Sequence, residues 1–221
     1  MIASPEIVAV RVGTVAPLGP KGVPSAYRKQ AIAGPVHAGE LGLTGDAQAD
    51  LTVHGGVDKA IYGYPLSRYP DWAAAYPDLA DAFVPGAMGE NLVVAGTDET
   101  GIHIGDRIRV GGALLQVTQP RQPCFKLALA LGEPGLARTM VRYGWCGWYY
   151  RVLESGVIGA SDAHFIVERP NPAWPVMRFA EVIAARALGA DLLAEMLAME
   201  GLAANWQIRA LRLLAGRRAG P

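Results

Sequence analysis

Cys124 lies in Gln119-Pro120-Arg121-Gln122-Pro123-Cys124-Phe125-Lys126-Leu127, after a strand-like run and before a helix-like one. Two prolines fix how the chain arrives there. At a helix N-terminus, with Arg121 and Lys126 close in sequence, a thiol is biased toward thiolate, the form that a soft metal or an electrophile takes. The plain alternative is a small residue packed in the core. Cys146, between Trp145 and Gly147, has no such setting and reads as packing.

A second group combines Gly45-Asp46-Ala47-Gln48-Ala49-Asp50 with Val53-His54-Gly55-Gly56-Val57-Asp58-Lys59-Ala60-Ile61-Tyr62. Paired glycines let backbone N–H groups approach an anion, and Lys59 adds a point charge. A polar turn with one solvated lysine is the bland reading. In Gly89-Glu90-Asn91-Leu92 an asparagine stands at a strand entrance, where its amide either bonds its own backbone or faces a ligand. The loop Pro20 to Lys29 gathers Lys21, Arg28 and Lys29 with Ser25. Those residue types suit a phosphate, although clusters of this size are commonly solvated surface.

Other chemistries lack their residues. There is no Walker loop, no dinucleotide-type Gly-x-Gly-x-x-Gly and no Gly-x-Ser-x-Gly elbow. His37, His54, His103 and His164 are scattered without metal-ligand spacing, which argues against a zinc or non-haem iron enzyme. Nothing points to pyridoxal phosphate. Two cysteines form no disulfide framework.

The elements that must position these residues follow from composition. Of 221 residues, 27 are glycine and 16 proline, which argues for many turns and short strands. Apolar residues are 51% and charged residues 18%, enough for a core and too ordered a balance for disorder. Lys+Arg and Asp+Glu are 20 each, so no broad basic surface for nucleic acid is expected. No run is apolar for the ~20 residues of a membrane helix, and no basic leader precedes an apolar stretch, so a soluble cytoplasmic protein is expected.

Ile7 to Val12 reads as a strand. Arg107 to Val110, Gly111-Gly112 and Ala113 to Thr118 read as a hairpin. Trp148 to Leu153, Ser155-Gly156 and a return strand suggest a second hairpin, and Asp162 to Glu168 a further strand. Helices are expected over Ser67 to Tyr76, despite Pro70, and from Phe125 to a C-cap at Gly132. Three prolines in Arg169 to Pro175 mark a linker over 169–175, separating residues 1–168 from a helical domain over 176–221. Its three amphipathic helices carry Phe179, Val182, Ile183 and Ala187, then Leu192, Met196 and Met199, then Trp206, Leu211 and Leu214. The fold class is mainly β, a barrel with short interrupting helices, followed by a small three-helix domain.

The order Gly45-Asp46, His54-Gly55-Gly56-x-Asp58-Lys59-Ala60, Gly89-Glu90-Asn91-Leu92, Gly105-Asp106, Pro120-Arg121-x-Pro123-Cys124 and Gly147-Trp148-Tyr149-Tyr150-Arg151-Val152 resembles a MOSC domain. With its helical tail, the chain resembles the bacterial YiiM-type members. Val57, where many relatives have proline, and Pro70 depart from the pattern. The resemblance implies a β-barrel and the molybdenum cofactor, molybdopterin, with Cys124 as metal ligand. It implies Arg121 and Asn91 at the cofactor, His54 or Lys59 as proton donor, and Lys21, Ser25 and Arg28 at the pterin phosphate. The implied activity is reduction of small N-hydroxylated compounds, including hydroxylaminopurine-type base analogues, hydroxylamines and amidoximes, in detoxification. With no flavin, haem or iron–sulfur motif, electrons would come from separate redox proteins. A cofactor or sulfur carrier or sensor without turnover is the competing reading, and a metal-free structural protein a third. The tail would serve a homodimer or a redox partner.

Overall fold

The computed structural model describes residues 4–50, 55–185 and 188–218. In chain order its strands are β1 (Glu6–Val12), β2 (Ala16–Leu18), β3 (Val23–Ser25), β4 (Gln30–Ala31), β5 (Val36–Gly39), β6 (Gly42–Leu43), β7 (Ile61–Pro65), β8 (Leu92–Ala95), β9 (Arg107–Val110), β10 (Ala113–Pro120), β11 (Trp148–Glu154), β12 (Gly156–Ile158) and β13 (His164–Glu168). The helices are α1 (Arg68–Ala75), α2 (Phe125–Leu131), α3 (Leu136–Tyr143), α4 (Val176–Ala185), α5 (Ala190–Ala198) and α6 (Ala204–Arg218).

Eight strands make the main sheet, in the order β13-β9-β10-β11-β7-β8-β1-β4. Its centre is β7, buried along its whole length, antiparallel to β11 and parallel to β8. The parallel step needs a crossover, and α1 with the 3-10 turn Pro77–Ala82 supplies it. Pro70 is tolerated because it falls in the first turn of α1, where a backbone N–H has no helical acceptor. The expected β9–β10 hairpin forms with Ile108 and Val110 inward and fully buried. On its other face Arg107 pairs with Glu168 and Glu200, and Arg109 with Glu154.

The sheet curls until β13 meets the start of β1. Ile7 N–H donates to Asp162 O at 2.9 Å and His164 N–H to Pro5 O at 2.8 Å, around an isolated bridge between Glu6 and Ala163. The strand order nevertheless stays open, from β13 to β4, and among the described residues no closed barrel is found. The mainly β expectation is therefore met in part, in a mixed α/β chain with a large sheet and several helices.

The expected second hairpin is corrected. β12 follows β11 but pairs with β5. Gly156 sits so close to the Gly112 backbone that a Cβ would overlap it, and Gly112 N–H donates to Val157 O at 2.9 Å. That contact draws the chain across the β9–β10 turn and away from β11.

β13 ends at Glu168 and α4 begins at Val176. The segment between them is pinned to the sheet. Arg169 holds Asp106 at 2.7 and 2.9 Å, and Asn171 Nδ2 donates to Ile104 O and Glu200 O, each at 2.8 Å. Trp174, Phe179 and Trp206 then meet edge to face, with ring centroids 6.1 and 5.5 Å apart. On α6 the buried stripe is Trp206, Ala210 and the half-buried Leu214, spaced by four. Leu211, expected inside, is 59% exposed, because it lies about 100° around the helix from the centre of that stripe. On α4 Phe179 is buried, Val182 and Ile183 are half-buried, and Ala187 lies outside the described residues. On α5 Met196 is buried as expected and Met199 follows just beyond it, but Leu193 is buried and Leu192 only half-buried.

Candidate functional site

β10 and β11 pair out of simple register between Val117 and Gln119, a bulge that leaves Thr118 Oγ1 to donate to Asp58 O at 2.6 Å. Bulges re-aim side chains beside functional sites. β10 then ends at Pro120, and Arg121 to Cys124 lead into α2, with Cys124 as its extended N-cap. Gly132 closes the helix in the left-handed region, as expected.

Cys124 is half-buried and forms no disulfide. It stands where two lobes of a cleft meet, and both lobes also share Gly55, Lys59 and Tyr149. The first, a small lobe of about 90 Å³, is basic: Lys29, Lys59, Arg121 and Lys126 line it. The second, of about 590 Å³, carries the carboxamides of Gln119, Gln122 and Asn205. The sulfur is thus reachable, beside an ammonium group and a glycine-lined turn, and is not sealed in the core.

Arg121 is 6% exposed. Its Nη1 donates to Tyr62 Oη at 3.3 Å and to Met88 O, and its guanidinium lies 4.9 Å from the Tyr62 ring centroid and 5.4 Å from that of Tyr27. Among the described residues no carboxylate forms an ion pair with it or with Lys126. An arginine stays protonated, so this buried cation has neutral partners only. Burial also pushes the Tyr62 and Tyr149 phenols up, and that of Tyr27 to about 12, so these rings enter the site uncharged. Burial lowers the pKa of Lys59.

Asn91 lines the basic lobe, yet its amide is occupied. Nδ2 donates to Arg11 O at 3.1 Å and Asp46 Oδ2 at 3.0 Å, and Oδ1 accepts from Tyr62 N–H at 3.1 Å. It fixes Asp46, whose Oδ1 accepts from Gly13 N–H at 2.8 Å and from the buried Lys29 ammonium. Asp58, in the glycine turn, holds Arg151 and accepts from Ala204 N–H at 2.8 Å, tying that turn to the start of α6.

Of the residues expected at the site, Cys124, Arg121, Asn91, Ser25 and Lys59 meet around the cleft. Ser25 Oγ accepts from Tyr27 N–H at 3.2 Å. Lys21 and Arg28 are exposed and are not among the lining residues. His54 lies outside the described residues. Tyr62, Tyr149 and Gln119 line the cleft without having been singled out for a role, and Lys29, grouped in the sequence with the phosphate-type cluster, lines it as well.

Among the described residues no three His, Cys, Asp or Glu side chains cluster as a metal site. A metal held at Cys124 must therefore bring most of its own donors, as a pterin dithiolene does, and Arg121 and Lys126, which pair with no carboxylate among the described residues, match the charge of such an anion. The residues present fit that group.

The MOSC domain family matches residues 50–164. Protein YiiM of Escherichia coli strain K12 is 37% identical over 187 residues, 85% of this chain and 83% of that protein. A protein named Reductase from Gibberella moniliformis is 40% identical over 174 residues, 78% of this chain, and the match spans only 31% of that longer protein. The crystal structure of YiiM from Geobacillus stearothermophilus is similar with a TM-score of 0.80 at 30% identity, over 95% of this chain and 99% of that one. The motifs around the cleft fall on the matched segment or just outside it, the fold agrees along nearly the full length, and the chain belongs to the MOSC family.

Proposed function

We propose that the protein is a cytoplasmic oxidoreductase that uses the molybdenum cofactor to reduce N-hydroxylated compounds to the parent amines or amidines. The observation that carries this reading is Cys124 at the junction of the two lobes, beside a buried Arg121 that has no carboxylate partner among the described residues. The family and the YiiM and reductase relatives support it. Cys124 would hold the metal through its sulfur. Arg121, Lys126 and the hydroxyl of Ser25 would hold the anionic pterin, with Lys29 kept in place by Asp46.

The cofactor, when bound, supplies the two-electron step. The overall change is an N–OH group plus two electrons and two protons giving N–H and water, the electrons arriving from separate redox proteins. Lys59 is suited to hold one of those protons at Nζ, since burial weakens its grip. Tyr149, with the Tyr62 ring packed against it, presents an uncharged ring at the junction.

Molybdenum analysis and a reductase assay with a reconstituted donor test this directly. Wild type should carry the metal and reduce a hydroxylamine, while Cys124→Ser loses the metal and more than ~100-fold in kcat/KM. Equal metal and turnover in the variant would overturn the ligand role. Metal retained by the wild type with no reduction by any donor would favour a cofactor carrier.

A further inference from the structure

We propose that the amide lobe is the specificity pocket, with Gln119 and Asn205 taking a neutral planar group that presents a hydrogen-bond donor next to an acceptor, as an amide or amidine edge does. Gln119 carries the argument. It is 3% exposed, lines the lobe, and its buried Oε1 has no hydrogen-bond partner among the described residues. A buried carboxamide oxygen without a partner is a state natural cores rarely leave without a purpose. The bulge preceding Gln119 aims it there, next to Tyr149 on the paired strand.

Another part of the lining comes from far along the chain. Asn205 lies in the first turn of α6, exposed to the lobe, and its place is fixed by its neighbours. Ala203 N–H donates to Thr118 O at 3.1 Å, and Ala204 N–H to Asp58 Oδ2 at 2.8 Å. Both anchors lie on the segments that carry Gln119 and Lys59. A carboxamide both donates and accepts, so this pair reads a group that does the same and gives little to a ring that offers a donor alone. The C-terminal helix thereby becomes part of the site.

The inference rests on the reductase reading for the fate of the ligand and not for its binding. The test is therefore a binding ratio measured by NMR titration on the protein as isolated. 2-Aminopyrimidine, with donor and acceptor on one edge, should bind about 10-fold tighter than aniline, which lacks the ring acceptor. Gln119→Met and the surface variant Asn205→Ala should each shrink that ratio to about twofold. Equal binding of the two probes, or a ratio untouched by Asn205→Ala, overturns the proposal, and Asn205→Ala decides the matter if Gln119→Met does not fold. A preserved ratio without any turnover would sink the reductase reading alone. Turnover with an unaltered ratio in both variants would sink this one alone.

Discussion

Asp46 is the acceptor on which Gly13, Lys29 and Asn91 converge. Asp46→Ala strands a buried ammonium and should cost ~3–5 kcal/mol in urea unfolding, whereas Lys29→Met leaves the carboxylate two donors and should cost less. An equal or larger loss in Lys29→Met would contradict this arrangement. His164 sets a pH dependence. It is 2% exposed, bonded through Nε2 to Tyr150 Oη at 2.7 Å, and burial lowers its pKa from 6.5 to about 4. Between those values the unfolded chain binds a proton that the folded one refuses. Stability from this group is full above pH 6.5 and falls as pH drops toward 4, by ~3 kcal/mol. Unfolding of wild type and His164→Phe compared at pH 7 and pH 4 should show the wild type losing more, by about that difference. The sequence showed which residue types sit in the motifs but not which of their atoms are already spent. Asn91 reads as a ligand-facing amide until Arg11 O, Asp46 and Tyr62 N–H are seen to occupy it.

At the scale of elements, the glycine turn is held from outside itself. Asp58→Ala removes the Arg151 pair and the acceptor for Ala204 N–H together, and should cost ~1–2 kcal/mol and speed amide exchange at Ala204. Unchanged exchange there would mean α6 is held by packing alone. Gly147, at the entrance to β11, has φ of +60°, and a Cβ would overlap Gly63 O. Gly147→Ala should destabilise by more than ~2 kcal/mol in thermal unfolding and displace Arg121, whose N–H donates to Gly147 O at 3.4 Å. Elements with a strong local signal were legible: β1, the β9–β10 hairpin and α2 with its glycine cap. α3 escaped notice because Gly132-Glu133-Pro134-Gly135 reads as a loop and masks the short apolar stripe of Leu136 and Met140 behind it. The partner of β12 was illegible for another reason, since it depends on a glycine contact across the sheet and not on adjacency in the chain.

Across the whole molecule, buried residues of the sheet and of α4 to α6 belong to one continuous apolar cluster, including Val117, Phe179, Leu193, Met196 and Trp206. Calorimetry should accordingly give one cooperative transition, with calorimetric and van't Hoff enthalpies equal, and Trp206→Ala should lower it as a unit by ~3–5 kcal/mol. Two resolved transitions would show the tail to be an independent folding unit. The proline-rich segment 169–175 was visible in the sequence, but the ion pair of Arg169 with Asp106 that clamps it needed the tertiary structure. The meeting of β13 with β1 has a consequence for how the protein is made. Pro5 and Ile7 leave the ribosome early, yet their backbone partners at Asp162 and His164 emerge only after most of the chain has been synthesised. Until then the Ile7 N–H and the Pro5 and Ile7 carbonyls lack these partners, so this closure of the sheet is a late, long-range step in folding.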